Sequence, residues 1–356
     1  MTILLALIVV ILFAVTLWQM SKIFKLSQLN TKTDDKEIAN DDDNRRNGKL
    51  MLMFLIFLYV ITIYCFWNYS KFYLPEASSE HGPLYDNLMF ITLAVIMVTQ
   101  IFTQGLLHWF AYKYKGRKGN RALFYADNDK LEFIWTIIPV IVLSGLIIYG
   151  LFTWSDIMNF EEEDDALVVE LYAYRYGWIA RYAGEDNTLG NANVRFIEGA
   201  NTVGIDESDT DALDDVTAQE LHLPAGRQVI FKLRSQDVLH SAYMPHFRAQ
   251  MNVVPGMITQ FSFTPTVTTE EIRETDYMRD KVRTINEIRR EKSKELVADG
   301  DLALDPYEDF DYYLLCNKIC GANHYNMQMR IVVETPEEFE AWMSEQKTFG
   351  ETIVAN

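Results

Sequence analysis

Four side chains that offer soft or borderline metal-binding atoms fall within the stretch CNKICGANHYNM: Cys316, Cys320, His324 and Met327. The only other cysteine in the chain is Cys65. Thiolate and thioether groups with imidazole select copper, whereas four thiolates or a Cys2His2 set would select zinc or an iron–sulfur cluster. One cysteine with a histidine and a methionine would suit a single electron-transfer copper, but two cysteines allow both thiolates to bridge a pair of copper ions. A pair needs a second imidazole, and the candidates in the polar half of the chain are His222, His240 and His246. His240 follows a predicted strand in SQDVLHSAYMPHF, with Asp237 nearby and a turn at Pro255 and Gly256 beyond it. His222, in ELHLP, reads as a half-exposed strand residue, and spacing alone does not exclude His246. A short-loop disulfide between Cys316 and Cys320 is the alternative use of the same thiols in an oxidising compartment.

For these ligands to converge, their segment must be a loop between the strands DYYLLC and MQMRIVVE, with Gly321 easing the bend. The sequence around them favours β-structure. ALVVELYAYRYGWIARYAG is rich in β-branched and aromatic residues, RQVIFKLRS alternates Val229, Phe231 and Leu233 with polar neighbours, and QFSFTP adds a further strand. Short strands separated by LPAG and PGM predict an all-β sandwich or barrel. PEEFEAWMSEQ, residues 336–346, predicts a closing helix with Pro336 in its first turn. Residues 268–310 break the pattern: they are highly charged, with Ile272, Val282, Ile285 and Ile288 at roughly helical spacing, and predict a solvated helical insertion between two strands.

The first part of the chain obeys a different solvent. Residues 3–20, 50–70, 87–112 and 133–155 are almost free of charge, and each is long enough to cross a bilayer core of roughly 30 Å as a helix. The first run lacks a basic leader region and an A-x-A-like cleavage site, which predicts a retained helix and not a signal peptide. Lys22, Lys25, Lys32, Lys36, Arg45, Arg46 and Lys49 in one loop, and Lys113, Lys115, Arg117, Lys118 and Arg121 in another, place both loops in the cytoplasm. Four spans then leave both termini outside, with the acidic linker EEEDD at 161–165 leading into a periplasmic domain.

Within the spans, Cys65 reads as a small apolar residue and His108 as an interfacial side chain. Glu132 stands at the edge of the last span and Pro139 inside it. A net charge of −18 disfavours nucleic acid and suits a basic partner. There is no internal repeat, glycine-rich phosphate loop or C-x-x-C-H haem-attachment motif.

The C-x3-C-x3-H-x2-M segment, the upstream DVLHS and the W-T-x-x-P membrane helix together resemble subunit II of the haem–copper cytochrome c oxidases over roughly residues 86–345, apart from the insertion. The resemblance implies N-terminal transmembrane α-helices followed by an all-β cupredoxin-like Greek-key barrel that carries the helical insertion. It divides the chain into two extra N-terminal membrane helices (1–70), a transmembrane hairpin (71–158) and a CuA domain (159–356). It further implies a multi-pass protein of a bacterial inner membrane, bound by lipid and by subunit I and other oxidase subunits, with cytochrome c as donor and no nucleic acid partner.

Carried over by residue, the resemblance makes Cys316 and Cys320 the bridging thiolates of a dinuclear copper centre. His240 and His324 supply one imidazole each, Met327 the thioether and Lys318 a backbone carbonyl. Tyr176 and Trp178 match the aromatic segment through which electrons arrive, with tyrosine standing where the family usually has tryptophan. Glu132 matches a glutamate near the mouth of a proton path into subunit I. Haem, oxygen reduction and proton pumping would belong to that subunit. The chain departs from the family at Lys318, usually a glutamate that also helps bind magnesium at the subunit I contact, and at Asn252 behind Gln250, which puts that magnesium in doubt. The alternatives are a copper carrier, a metal-free quinol-oxidase subunit and a structural disulfide.

Overall fold

The computed structural model describes residues 2–28 and 40–354. It divides into two compact units, one formed by residues 1–68 and 97–127, the other by residues 69–96 and 128–356. In the first unit lie α1 (Thr2–Gln28), nearly all of α2 (Asp41–Tyr69) and the C-terminal part of α3 (Gly82–Lys113). Asn40 caps α2, its side-chain oxygen accepting from the Asp43 N–H at 2.9 Å. Asp41, Asp42 and Asp43 then place negative charge at the positive end of the helix dipole. The Tyr59 hydroxyl donates to the Ile101 carbonyl at 2.6 Å and joins α2 to α3. His108, expected at an interface, is instead buried, with its ring 5.7 Å from Phe54 and its Nδ1 2.8 Å from the Gln104 carbonyl. The neighbouring helix, invisible to local hydropathy, supplies that cover. Cys65 is exposed on α2.

Among the described residues, three helices are long and apolar enough to cross a membrane: α2, α3 and α4 (Asp129–Met158). The first span expected, 3–20, falls in α1, where the apolar stretch recognisable among the described residues is the shorter Val10–Ile23. Lys32 and Lys36 of the expected basic loop lie outside the described residues. In α4 the Asn128 side chain accepts from the Leu131 N–H at 3.1 Å, Glu132 occupies the first turn and Pro139 sits within the helix.

Beyond α4, ten strands form two five-stranded sheets. In chain order they are β1 (Leu167–Tyr174), β2 (Gly177–Tyr182), β3 (Val216–Ala218), β4 (Leu221–Pro224), β5 (Val229–Ser235), β6 (His240–Met244), β7 (Ala249–Val253), β8 (Thr259–Phe263), β9 (Tyr312–Cys316) and β10 (Gln328–Glu334). One sheet has the order β3-β2-β1-β5-β8 and the other β4-β10-β9-β6-β7. The β1–β5 and β4–β10 pairs are parallel and the rest antiparallel. Two packed sheets are the β-domain architecture expected. Its core gathers the inward residues of both sheets, among them Leu171, Phe231, Leu233, Tyr312, Leu314 and Ile331.

β1 is buried on both faces, which explains its nearly unbroken apolar run. Its outer face is covered by the excursion between β2 and β3 and by α8 (Phe349–Val354), through Val203, Ile205, Ala212 and Phe349 against Tyr172 and Ile179. Beneath that cover, Arg181 pairs with Glu170 at 2.9 Å and Asp215 at 3.1 Å, and Arg234 pairs with Glu170 at 2.6 Å. Each of these charged side chains is almost wholly buried.

The expected insertion consists of α5 (Thr269–Glu274) and α6 (Asp276–Ala298), followed by an irregular return to β9. Thr268 and Glu271 form a reciprocal cap at its start. The insertion is not merely solvated. Ile272 and Met278 reach the main core, and Arg273 pairs with Asp311 at 2.6 Å. α7 (Pro336–Ser344) closes the predicted C-terminal helix with Pro336 at its start. Ahead of α3, Ser78 N–H donates to the His246 carbonyl at 2.8 Å, Glu80 N–H to the Thr264 carbonyl at 3.0 Å, and Arg248 pairs with Asp86 at 2.8 Å. These bonds tie the sheet domain to the start of a membrane helix within the same unit.

Candidate metal centre

The loop between β9 and β10 and the first residue of β6 build the site. Cys316 ends β9 and faces β6 through the Ala242–Cys316 pairing, while the Cys316 N–H donates to the Met327 carbonyl at 3.0 Å and closes the loop. His324 opens a short 3-10 turn, and Met327 follows it immediately before β10. Gly321 adopts φ +149°, where glycine is unstrained.

Within this frame Cys316 Sγ lies 4.0 Å from Cys320 Sγ, so the thiols are free and not joined as a disulfide. Cys316 Sγ is 3.9 Å from His240 Nδ1, Cys320 Sγ is 3.7 Å from His324 Nδ1, and Cys320 Sγ is 3.7 Å from Met327 Sδ. The Cys316 thiol also reaches the Lys318 carbonyl at 3.2 Å, while the Lys318 side chain is exposed. Ligand atoms about 2.0–2.3 Å from a metal stand roughly 3.3–3.8 Å apart along the edges of a tetrahedral shell. The spacings lie within a few tenths of an ångström of that requirement. His240, Cys316 and Cys320 form a group able to hold a metal, their ligand atoms all within 4.8 Å of one another.

Second contacts fix the ligands. His240 is fully buried, and its Nε2 lies 2.9 Å from Asp237 Oδ1. A carboxylate there holds the proton on Nε2 and leaves the Nδ1 lone pair toward Cys316. Burial opposes the charge on Asp237, but hydrogen bonds from His240, the Val238 N–H and Arg175 outweigh it and hold the carboxyl below its usual range. Burial and the neighbouring Cys316 push the Cys320 thiol up to about 11. Without a cation the Cys320 sulfur therefore keeps its proton, and binding a soft metal there must displace it.

The rival histidines are elsewhere. His222 is buried, not half-exposed, because α7 lays Trp342 over it: the rings stack 3.9 Å apart at 7°, and Glu334 lies 3.0 Å from Nδ1. His246 packs edge-on against Phe310 at 4.9 Å and Tyr312 at 5.5 Å. His240 opens β6 and does not trail the preceding strand. Trp178 is buried with its ring 6.2 Å from that of His240, and the half-buried Tyr176 accepts a hydrogen bond from the Ala322 N–H at 3.1 Å. Arg175 and Asp237, paired at 2.9 Å, complete the support; the acid was visible in sequence, the arginine's part was not.

Fold and site together describe helices able to cross a membrane joined to a β-sandwich whose loop gathers soft-ligand side chains able to hold a metal. The model of the cytochrome c oxidase subunit II transmembrane domain matches residues 68–152. The alternative cytochrome c oxidase subunit 2 of Bradyrhizobium diazoefficiens is 28% identical over 300 residues, covering 83% of this chain and 92% of that one. The cytochrome c oxidase subunit 2 of Thermostichus vulcanus is 25% identical over 317 residues, covering 82% and 84%. The solved periplasmic domain of subunit II of cytochrome oxidase of Bradyrhizobium japonicum aligns with 52% of this chain and 94% of its own at 15% identity and a TM-score of 0.29. The chain is thus similar to cytochrome c oxidase subunit II proteins over about four fifths of its length, and residues 68–152 match the transmembrane part of that family.

Proposed function

We propose that this chain is the electron-accepting subunit of a respiratory cytochrome c oxidase in a bacterial inner membrane, taking electrons from cytochrome c and delivering them to haem in subunit I. The observation that carries the reading is a linked set of two free thiols, two imidazoles and a thioether: Cys316 and Cys320 stand 4.0 Å apart, with His240 3.9 Å from the first and His324 and Met327 each 3.7 Å from the second. Cys316 and Cys320 would bridge two copper ions, with His240, His324, Met327 and the Lys318 carbonyl completing the set. When bound, the copper pair supplies a one-electron redox centre that spreads the charge change over two ions.

The protein's own residues keep that change inexpensive. Asp237 and Arg175 hold the His240 ring, the strands anchor Cys316 and Met327, and burial of Cys320 and Met327 limits water. Tyr176 and Trp178 lie on the donor side, where the acidic chain, at −18 net charge, attracts a basic cytochrome. Glu132, in the first turn of α4, serves a proton path into subunit I, where oxygen reduction and proton pumping occur. The sheet domain faces the periplasm, as the basic loops require.

The ammonium of Lys318 cannot ligate a cation, and Asn252 offers no carboxylate, so the residues present do not fit an interface magnesium ion held by this chain's acids. A test follows from the thiols. In the purified oxidase, Cys320→Ser should abolish haem reduction by cytochrome c while dithionite still reduces the haems. Unimpaired reduction by cytochrome c would refute the proposal.

A further inference from the structure

We infer that the Tyr176 hydroxyl is a latch that positions the ligand loop between Cys320 and His324. The role deepens the metal-centre reading, and its copper measurement rests on that reading. Tyr174 pairs with Gly177 across the β1–β2 hairpin, leaving Arg175 and Tyr176 as its two-residue turn. Arg175 donates from its backbone N–H and from Nε to Asp237 Oδ2 at 3.0 and 2.9 Å, and the other oxygen of that carboxylate holds His240. The next residue reaches the opposite side of the site. Tyr176 accepts from the Ala322 N–H at 3.1 Å, and its ring lies against Gly321. One turn thereby grips both ligand-bearing segments.

Gly321 shows how closely the latch fits. A Cβ at that position would collide with the Tyr176 hydroxyl and stand 3.0 Å from each of two carbons of its ring, and the φ of +149° already disfavours any other residue. The loop has few other restraints here. Gly321 and Ala322 are exposed, and the nearest backbone bond is a long one from the His324 N–H to the Gly321 carbonyl at 3.3 Å. Among ring side chains, a phenolic oxygen can accept from the amide, whereas phenylalanine has no acceptor and the indole of tryptophan only donates. Tyrosine therefore does here what neither of those rings can do.

The test uses the purified oxidase containing the full chain, comparing the parent with Tyr176→Phe, Tyr176→Trp and Gly321→Ala. Hydrogen exchange is followed in peptides covering 317–327, and copper loss to a Cu(I) chelator is timed in parallel. Loss of one neutral hydrogen bond should speed exchange at Ala322 about fivefold in all three variants. Exchange in β1 and β5 stays as in the parent, and copper leaves several-fold faster at an unchanged unfolding midpoint. Parent-like exchange at Ala322 in Tyr176→Phe overturns the latch. Should that variant lose protection in β1 and β5 as well, Gly321→Ala decides: parent-like exchange at Ala322 in that variant overturns the latch too. A parent that binds no copper pair would refute the function proposed above, while the exchange measurement would still judge the latch.

Discussion

Asp237 Oδ1 lies 2.9 Å from His240 Nε2, and Nδ1 of the same ring faces Cys316 Sγ at 3.9 Å. One carboxylate thus sets which nitrogen is bare and where it points. Removing it in Asp237→Ala frees the ring and leaves Arg175 unpaired. Loss of such a supporting contact typically lowers metal affinity about 10–100-fold. Competition with a chelator for the copper of the purified protein measures the change, and an unaltered affinity would show that the ring is held by packing alone.

The buried charge cluster makes a second prediction. Glu170 pairs with both Arg181 and Arg234 under the cover of the 184–215 excursion. Glu170→Ala strands the Arg234 guanidinium and leaves Arg181 with Asp215 alone, and breaking a buried pair in this way costs about 3–5 kcal/mol. Denaturant titration of the purified protein should show that loss. Arg234→Met should cost less, because Glu170 keeps Arg181 as a partner.

Acid should weaken the fold through His246. Burial first, then the charges of Lys281 and Arg248, push its imidazole down to about 4. The ring stays neutral in the folded chain while the unfolded chain protonates near pH 6.5. Its contribution is therefore fully present above about pH 6.5, declines as pH falls toward 4 and is flat below, a loss of up to about 3 kcal/mol. His246→Phe keeps an aromatic ring between Phe310 and Tyr312 but cannot titrate, so its unfolding midpoint should fall less steeply between pH 6.5 and 4. An equal slope would remove His246 from the acid response.

Copper uptake should also depend on pH, in the opposite structural location. With the Cys320 thiol raised to about 11, each metal bound displaces protons from the site. Apparent affinity should rise as pH is raised from 6 to 8, and a pH-indicator dye in weak buffer should register proton release on copper addition. Uptake without proton release would mean that the Cys320 thiol is already ionised.

The local signals in the sequence were strong where they concern periodicity and ligand chemistry. β9 and β10 were visible as DYYLLC and MQMRIVVE, and the four candidate ligands of their loop stand within one short segment, so the convergence of Cys316, Cys320, His324 and Met327 needed no long-range information. The contribution of His240 did. It depends on β6 pairing with β9 across more than seventy residues of chain, and spacing did not exclude His246 until the fold placed that ring among aromatics. His222 looked half-exposed because alternation in β4 reports only the sheet's own two faces, whereas Trp342 comes from α7. The cover over β1 was illegible for the same reason: Val203, Ile205 and Ala212 lie in an excursion rich in Gly, Asn and Asp that shows no period.

The central claim is that Cys316 and Cys320 jointly hold two copper ions. Electron paramagnetic resonance of the purified full-length protein, with copper counted per chain, tests it most directly. The account predicts two coppers per chain and hyperfine structure from two equivalent nuclei sharing one unpaired electron, lost in Cys316→Ser. One copper per chain with the hyperfine pattern of a single nucleus would contradict it.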